Sequence, residues 1–315
     1  MKKLLILGVA VFGVAACVQE NVVETPLGDP IRFENAFINN ATRAAADPST
    51  TSSTLQGFDV WGFVKEYDGT VFVDQDITLN GNVWAYNGTQ YWVPDQPYYF
   101  AALAPMNSNN IEHTLATGDA AKLGLGTVTF TNTAGTEDLL YAHYVVRTNG
   151  ANEPNSAIKF QFEHLLSKVK FTFKNGFITE NASVQVRNIT IKVPHKGSID
   201  LAQSDFSKAW TPEAETVPLS FGDVEKLAFG KDAESAHERL TIPTSFSYVY
   251  DIAFDVDLYM GNQLVYTLPR TSTVTGIELE IGKAYNFSAE ITPESLELDN
   301  ITFDVITVEN WTPAQ

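Results

Sequence analysis

The chain has 315 residues, 38 Asp and Glu against 20 Lys and Arg, a formal net charge of −18 and a single cysteine. That acidity excludes a surface built to attract nucleic acid or anionic membrane. One thiol excludes internal disulfides and CxxC metal or redox sites, so stability rests on an ordinary hydrophobic core, and the length allows one large or two mid-sized domains.

Lys2 and Lys3, an apolar run over residues 4–14 and the small residues Ala15 and Ala16 lay out a secretory signal peptide ending at Cys17. The run is about half the length a membrane-crossing helix needs, so it reads as an h-region. Val14-Ala15-Ala16-Cys17 resembles the lipobox of bacterial lipoproteins, in which the cysteine is acylated and becomes the new N-terminus. The alternative is an ordinary signal peptide cleaved near Ala16. That no other cysteine exists favours lipidation of Cys17. Loss of Lys2 and Lys3 with the peptide moves the net charge from −18 to −20.

Residues 18–30 are a polar tether. Ile31, Phe33 and Phe37 then alternate with polar residues on one face of a predicted strand. Residues 39–54, rich in Asn, Ala, Ser and Thr, read as a flexible loop. A lone strand joined to the rest by such a loop is an unusual arrangement.

From Phe58 onward short β runs alternate with turn signals. Asp68-Gly69, Asn87-Gly88 and Gly261-Asn262 each sit between apolar runs and suit two-residue hairpin turns. Further strands are expected at 98–101, 127–130, 168–173, 184–193, 252–258, 284–291 and 301–308. Residues 112–122 and 224–229 are at most short helices. This pattern argues for β-sandwiches, with a break in the polar Gly/Pro stretch 150–156.

Chemistry is sparse. The five histidines are scattered and none has metal-ligand spacing. Glu163 and His164 are neighbours on a strand, so their side chains diverge, and His164 reads as a structural histidine. Asp74 and Asp76 begin something like a calcium loop but lack the glycine at its sixth position. Asp255 and Asp257 read as a solvent-facing row. Trp84, Tyr86, Tyr91 and Trp92 suit cross-strand pairs in a hairpin, or a sugar-stacking platform. No nucleophile elbow, phosphate loop or dinucleotide fingerprint is present.

Residues 158–173, IKFQFEHLLSKVKFTF, resemble the central F-x-H-x-L-S-K-V-x-F-x-F run of the fimbrillin family, the Mfa-like lipoproteins and type V pilins of Bacteroidetes. Thr42-Arg43-Ala44, followed by the strand at 58–63, resembles the processing loop and the strand after it. Tyr91-Trp92 through Pro105, Asp138-Leu139-Leu140-Tyr141-Ala142, and Leu279 through Phe287 resemble further family elements in the same order, as does the ending at Trp311. The likeness spans nearly all of the chain beyond Cys17.

The resemblance implies an all-β fold of two sandwich domains with transthyretin-like topology and no catalytic site, metal or cofactor. The expected division is a signal peptide at 1–17, a tether and first strand at 18–43, and sandwiches at 44–155 and 156–315. It implies a non-enzymatic subunit or accessory (tip or anchor) component of an outer-membrane fimbria. In polymerising members an Arg-specific protease cuts the processing loop, here between Arg43 and Ala44. The cut releases the first strand, here Ile31, Phe33 and Phe37, and a strand from another subunit fills the groove. Ile301, Phe303, Val305 and Val308 alternate suitably for a donor strand; they suit equally an edge strand of their own domain. The implied partners are other fimbrillin subunits, the outer membrane through lipid on Cys17, an Arg-specific protease, and a host protein or glycan as ligand. Two rivals stand beside this reading: a surface glycan-binding β-sandwich lipoprotein using the aromatic cluster, and a secreted hydrolase, which needs converging carboxylates.

Overall fold

A computed structural model describes residues 29–34, 37–38, 47–64, 69–93, 96–116, 124–147, 157–203, 205, 209–298 and 301–310. The strands run β1 (Phe37–Ile38), β2 (Gly57–Val64), β3 (Gly69–Asn80), β4 (Val83–Ala85), β5 (Pro97–Ala104), β6 (Ile111–Leu115) and β7 (Leu125–Thr131). Then come β8 (Leu140–Arg147), β9 (Gln161–His164), β10 (Ser167–Asn175), β11 (Ala182–Pro194), β12 (Lys196–Asp200), β13 (Trp210–Pro212) and β14 (Thr216–Gly222). The chain closes with β15 (Asp232–Glu234), β16 (Arg239–Thr241), β17 (Tyr250–Met260), β18 (Gln263–Val274), β19 (Lys283–Ile291), the short helix α1 (Pro293–Glu297) and β20 (Asp304–Asn310). The fold is all-β, as expected.

Four sheets pack as two sandwiches. A seven-stranded sheet, β1-β9-β8-β5-β2-β3-β4, sits in the first. One of its faces carries Phe58, Val60, Phe72, Phe100 and Phe162. The other carries Trp61, Phe63, Leu103 and Tyr141 and meets Val128, Phe130 and Ile199 of the four-stranded sheet β13-β12-β7-β6. Because both faces are covered, β2 and β5 read as almost continuous apolar runs, GFDVWGFV and PYYFAALA. In the middle of β2, Gly62 leaves room for the rings of Phe72 and Phe100, which would lie 2.8 and 2.9 Å from an added Cβ.

In the second sandwich a sheet of β15-β10-β19-β20, with β16 also on β10, faces the sheet β14-β11-β17-β18. Phe171, Phe173, Val186, Ile191, Phe254 and Phe287 fill the space between them. Strands such as β10 and β19 alternate buried with less buried residues over most of their length.

Three strand pairings cross residue 155. Strand β9 joins the first sandwich between β1 and β8, and β12 lies antiparallel to β7, with Gly197 opposite Phe130. The four residues from His164 to Ser167 carry the chain from β9 in one sandwich into β10 of the other.

Three local expectations are corrected. Residues 112–115 belong to β6, not to a helix, because pairing with β7 overrides a weak helical pattern. The 224–229 stretch makes bridges from Val224 to Ser235 and from Leu227 to Val184 and contains no helix. Asn87-Gly88 does not close a hairpin: β4 pairs back onto β3 around Gly81, whose φ is +65°, and Tyr91 bridges Pro30 instead. The Gly261-Asn262 turn does close β17 onto β18. Asp68 lies outside the described residues.

Candidate functional site: the N-terminal strand and its groove

Residues 29–34 lie in a groove between residues 90–92 and 157–158. The Ile31 amide donates to the Gln90 carbonyl (2.8 Å) and the Trp92 amide to the Asp29 carbonyl (2.9 Å). On the opposite side the Ile158 amide donates to the Arg32 carbonyl (2.7 Å), and the Glu34 amide to the Ile158 carbonyl (3.0 Å). The Tyr86 hydroxyl donates to the Ile31 carbonyl at 2.9 Å. Further along, β1 pairs in parallel with β9, with Phe37 opposite Gln161 and Ile38 opposite Phe162.

Alternation settles which side chains go in. Arg32 and Glu34 are exposed, whereas Ile31 and Phe33 keep 1% and 4% of their surface. The Phe33 ring stacks on Phe160 (centroids 6.0 Å) and meets Phe58, Phe72 and Tyr86 within 6.2 Å. Burial of two such side chains is worth about 1.5–3 kcal/mol each. β1 is the outermost strand of its sheet, and departure of residues 29–34 frees backbone groups of Gln90, Trp92 and Ile158 on both sides. What it leaves is an apolar trench flanked by unpaired backbone groups, a template for another strand.

The other candidate residues are placed as follows. Cys17, Arg43 and Ala44 lie outside the described residues. The backbones of Phe37 and Val308 lie in β1 and β20; their side chains are outside the description. Ile301 is buried in the second core, and Phe303 packs edge-on against Phe171, Phe173 and Phe254 (5.7, 5.7 and 5.9 Å). Val305 sits against the same core and is opposite Phe287 in the β19–β20 pairing. The C-terminal strand therefore lies at the edge of its own sheet, paired through β19.

A family model described as fimbrillin-like matches residues 42–311. The chain belongs to the fimbrillin-like family. Among solved structures, this fimbrillin-like chain is similar to a fimbrial protein from Bacteroides vulgatus, with TM-score 0.63 and 15% identity over 90% of this chain and 99% of that one. It is also similar to a candidate cell adhesion protein from Bacteroides ovatus, with TM-score 0.50 and 15% identity over 91% and 99% of the two chains. At such identities the likeness is one of fold. No curated protein matches the chain.

In this fimbrillin-like chain the aromatic cluster serves the groove. Trp92 is buried against Tyr98 (4.7 Å), Trp84 packs on Phe58 (4.9 Å), and Tyr86 meets Phe72 edge-on (5.1 Å). Of the four rings weighed as a sugar platform only Tyr91 is exposed, so they present no shared stacking face.

The acidic positions divide. Asp257 is buried, which corrects the solvent-face reading: Arg187 grips it at 2.7 and 2.9 Å and the Thr267 hydroxyl donates at 2.7 Å. The Arg187 hydrogen bonds hold its carboxyl below the usual range despite burial. Asp59 lies opposite Asp76 across β2 and β3. Burial, then the charges of Asp74 and Asp76, push the Asp59 carboxyl up to about 6 against the pull of the Asn107 amide. Among the described residues no group of three or more His, Cys, Asp or Glu is arranged to hold a metal.

His164 behaves as expected toward its neighbour: it is buried while Glu163 is exposed. Its partner is Asp138, 26 positions away. Nδ1 of His164 lies 2.9 Å from Oδ2 of Asp138, also buried, and the Thr50 amide donates to the same carboxylate at 2.7 Å. Lys168 is buried as well and pairs with Asp47 at 2.7 Å.

Proposed function

We propose that this chain is a structural subunit or accessory (tip or anchor) component of a bacterial surface fimbria. It is exported as a lipoprotein acylated on Cys17, cut between Arg43 and Ala44 by an Arg-specific protease, and joined to other fimbrillin subunits by strand exchange. One observation carries the reading: the apolar strand that fills the groove at Ile31 and Phe33 ends upstream of Arg43, so one cut severs it from the body of the chain. The role is structural, not catalytic, and the cell surface is its place.

The groove suits a replacement strand on physical grounds. Its walls offer backbone partners at Gln90, Trp92 and Ile158, and its floor accepts alternate apolar side chains. An incoming segment needs the i, i+2 apolar pattern of Ile31 and Phe33; the run Ile301, Phe303, Val305 of a second copy has it. The units that assemble are the sandwich begun by residues 44–155, which residues 157–166, β12 and β13 join, and the sandwich formed by the rest of 156–315.

The test uses the chain from Val18 to Gln315 treated with an Arg-specific protease. The expected result is an SDS-resistant ladder that appears with the Arg43 cut and is absent in Arg43→Ala. A clean cut at Arg43 that leaves only monomers refutes polymerisation by this route.

A further inference from the structure

Asp138, His164 and Lys168 lie within two of the motifs that carry the family resemblance, and they meet at one place. That place is the segment a few residues downstream of Arg43. Asp47 accepts from Lys168 Nζ at 2.7 Å, and Glu238 stands 3.4 Å from the same nitrogen. The Ser49 amide (2.8 Å) and hydroxyl both donate back to Asp47. The Thr50 amide donates to Oδ2 of Asp138, the oxygen that also lies 2.9 Å from His164 Nδ1. The Thr51 carbonyl then accepts from the amides of Thr54 and Leu55, both at 2.9 Å, and Leu55 enters the first core. Asp47, Ser49, Thr51, Asp138, His164 and Lys168 are all buried. Burial alone would raise the Asp47 carboxyl, yet Lys168 and Ser49 hold it below its ordinary value.

We propose that Asp138, His164 and Lys168 form a docking site for residues 47–51, a clasp that stays closed when the loop upstream is cut. The reason is positional. Two residues beyond Leu55 the chain becomes β2, which lies between β5 and β3 near the middle of the seven-stranded sheet. A strand peeling away from the groove would pull next on β2. Buried ionic partners resist that pull strongly, because a separated charge left without its partner in the interior is costly. The clasp thus divides the N-terminal region into a releasable strand at 29–38 and a fixed stretch at 47–55. It also connects the two sandwiches, since Lys168 belongs to β10 whereas His164 ends β9.

The biological sense of the clasp rests on strand release as proposed above, but its test does not. A chain that begins at Ala44 needs no protease. Backbone hydrogen–deuterium exchange of residues 47–55 is compared in that chain and in the chain from Val18. The expected result is that residues 47–55 stay protected in both, at the level of the β2 and β5 amides of the same chain, although loss of the strand lowers the stability of the whole sandwich. Asp47→Asn and Asp138→Asn, each made in the chain from Ala44, should speed exchange at Thr50, Thr54 and Leu55 by tenfold or more. The amides of β3 and β5, in the same sandwich, report that the fold survives, and they should keep the rates of the unsubstituted chain from Ala44. If residues 47–55 exchange freely once residues 18–43 are absent, or if neither variant loosens them, the clasp is refuted. A clasp that holds in a chain that never polymerises would leave this inference standing and remove only strand exchange.

Discussion

Phe33→Ala is expected to destabilise the first sandwich by about 3–5 kcal/mol, the range for truncating a fully buried phenylalanine. Four aromatic rings surround Phe33, and they belong to three different stretches of chain: Phe58 and Phe72 in the sheet, Tyr86 beyond β4, and Phe160 before β9. With so many separate walls the cavity cannot easily collapse, which places the cost in the upper part of that range. Denaturant unfolding of the chain from Val18, followed by tryptophan fluorescence, reads the effect, since Trp84 and Trp92 border the same core. A change under about 1 kcal/mol would mean that the N-terminal strand is a bystander to the core and that its removal opens nothing.

Ending the chain at Asn300 is the second test, directed at the other candidate strand. It removes β20 together with Ile301 and Phe303, and it uncovers Phe171, Phe173 and Phe254. The expected cost to the second sandwich is at least about 3 kcal/mol. The first sandwich should be unaffected, because among the described residues its two cores contain none beyond Ile281. The consequence for assembly is direct: if β20 is donated to another subunit, a replacement must cover the same rings, or the donor is destabilised. A truncated chain with unchanged stability would show instead that the strand contributes little to its own core and is free to be donated.

Several of these features are legible in the residues themselves. The alternation of Ile31 and Phe33 with Arg32 and Glu34 predicts a strand with one buried face, and the turn at Gly261-Asn262 predicts its hairpin, because both signals are local. The helix α1 is announced by Thr292-Pro293-Glu294-Ser295, which forms a capping box with proline at its start. At five residues it is too short to leave a periodic trace. Asn87-Gly88 fails as a hairpin signal because the strand that pairs with Tyr91 comes from residue 30, a distance no local pattern encodes. The clasp is hidden for the same reason: Lys168 and Asp47 are 121 positions apart. The charged residues and the histidine inside the run 158–173 are the one hint, since any of them that is buried calls for a partner. Which partners, the run does not say.

The central claim, that the N-terminal strand must leave its groove before subunits join, is tested most directly by locking that strand in place. The chain from Val18 has no cysteine of its own. Phe37→Cys and Gln161→Cys, directly opposed between β1 and β9, place a disulfide across the groove's edge. Cut at Arg43 under oxidising conditions, the locked chain should remain monomeric, and adding reductant should release the ladder. Polymers that form with the disulfide intact would contradict the account.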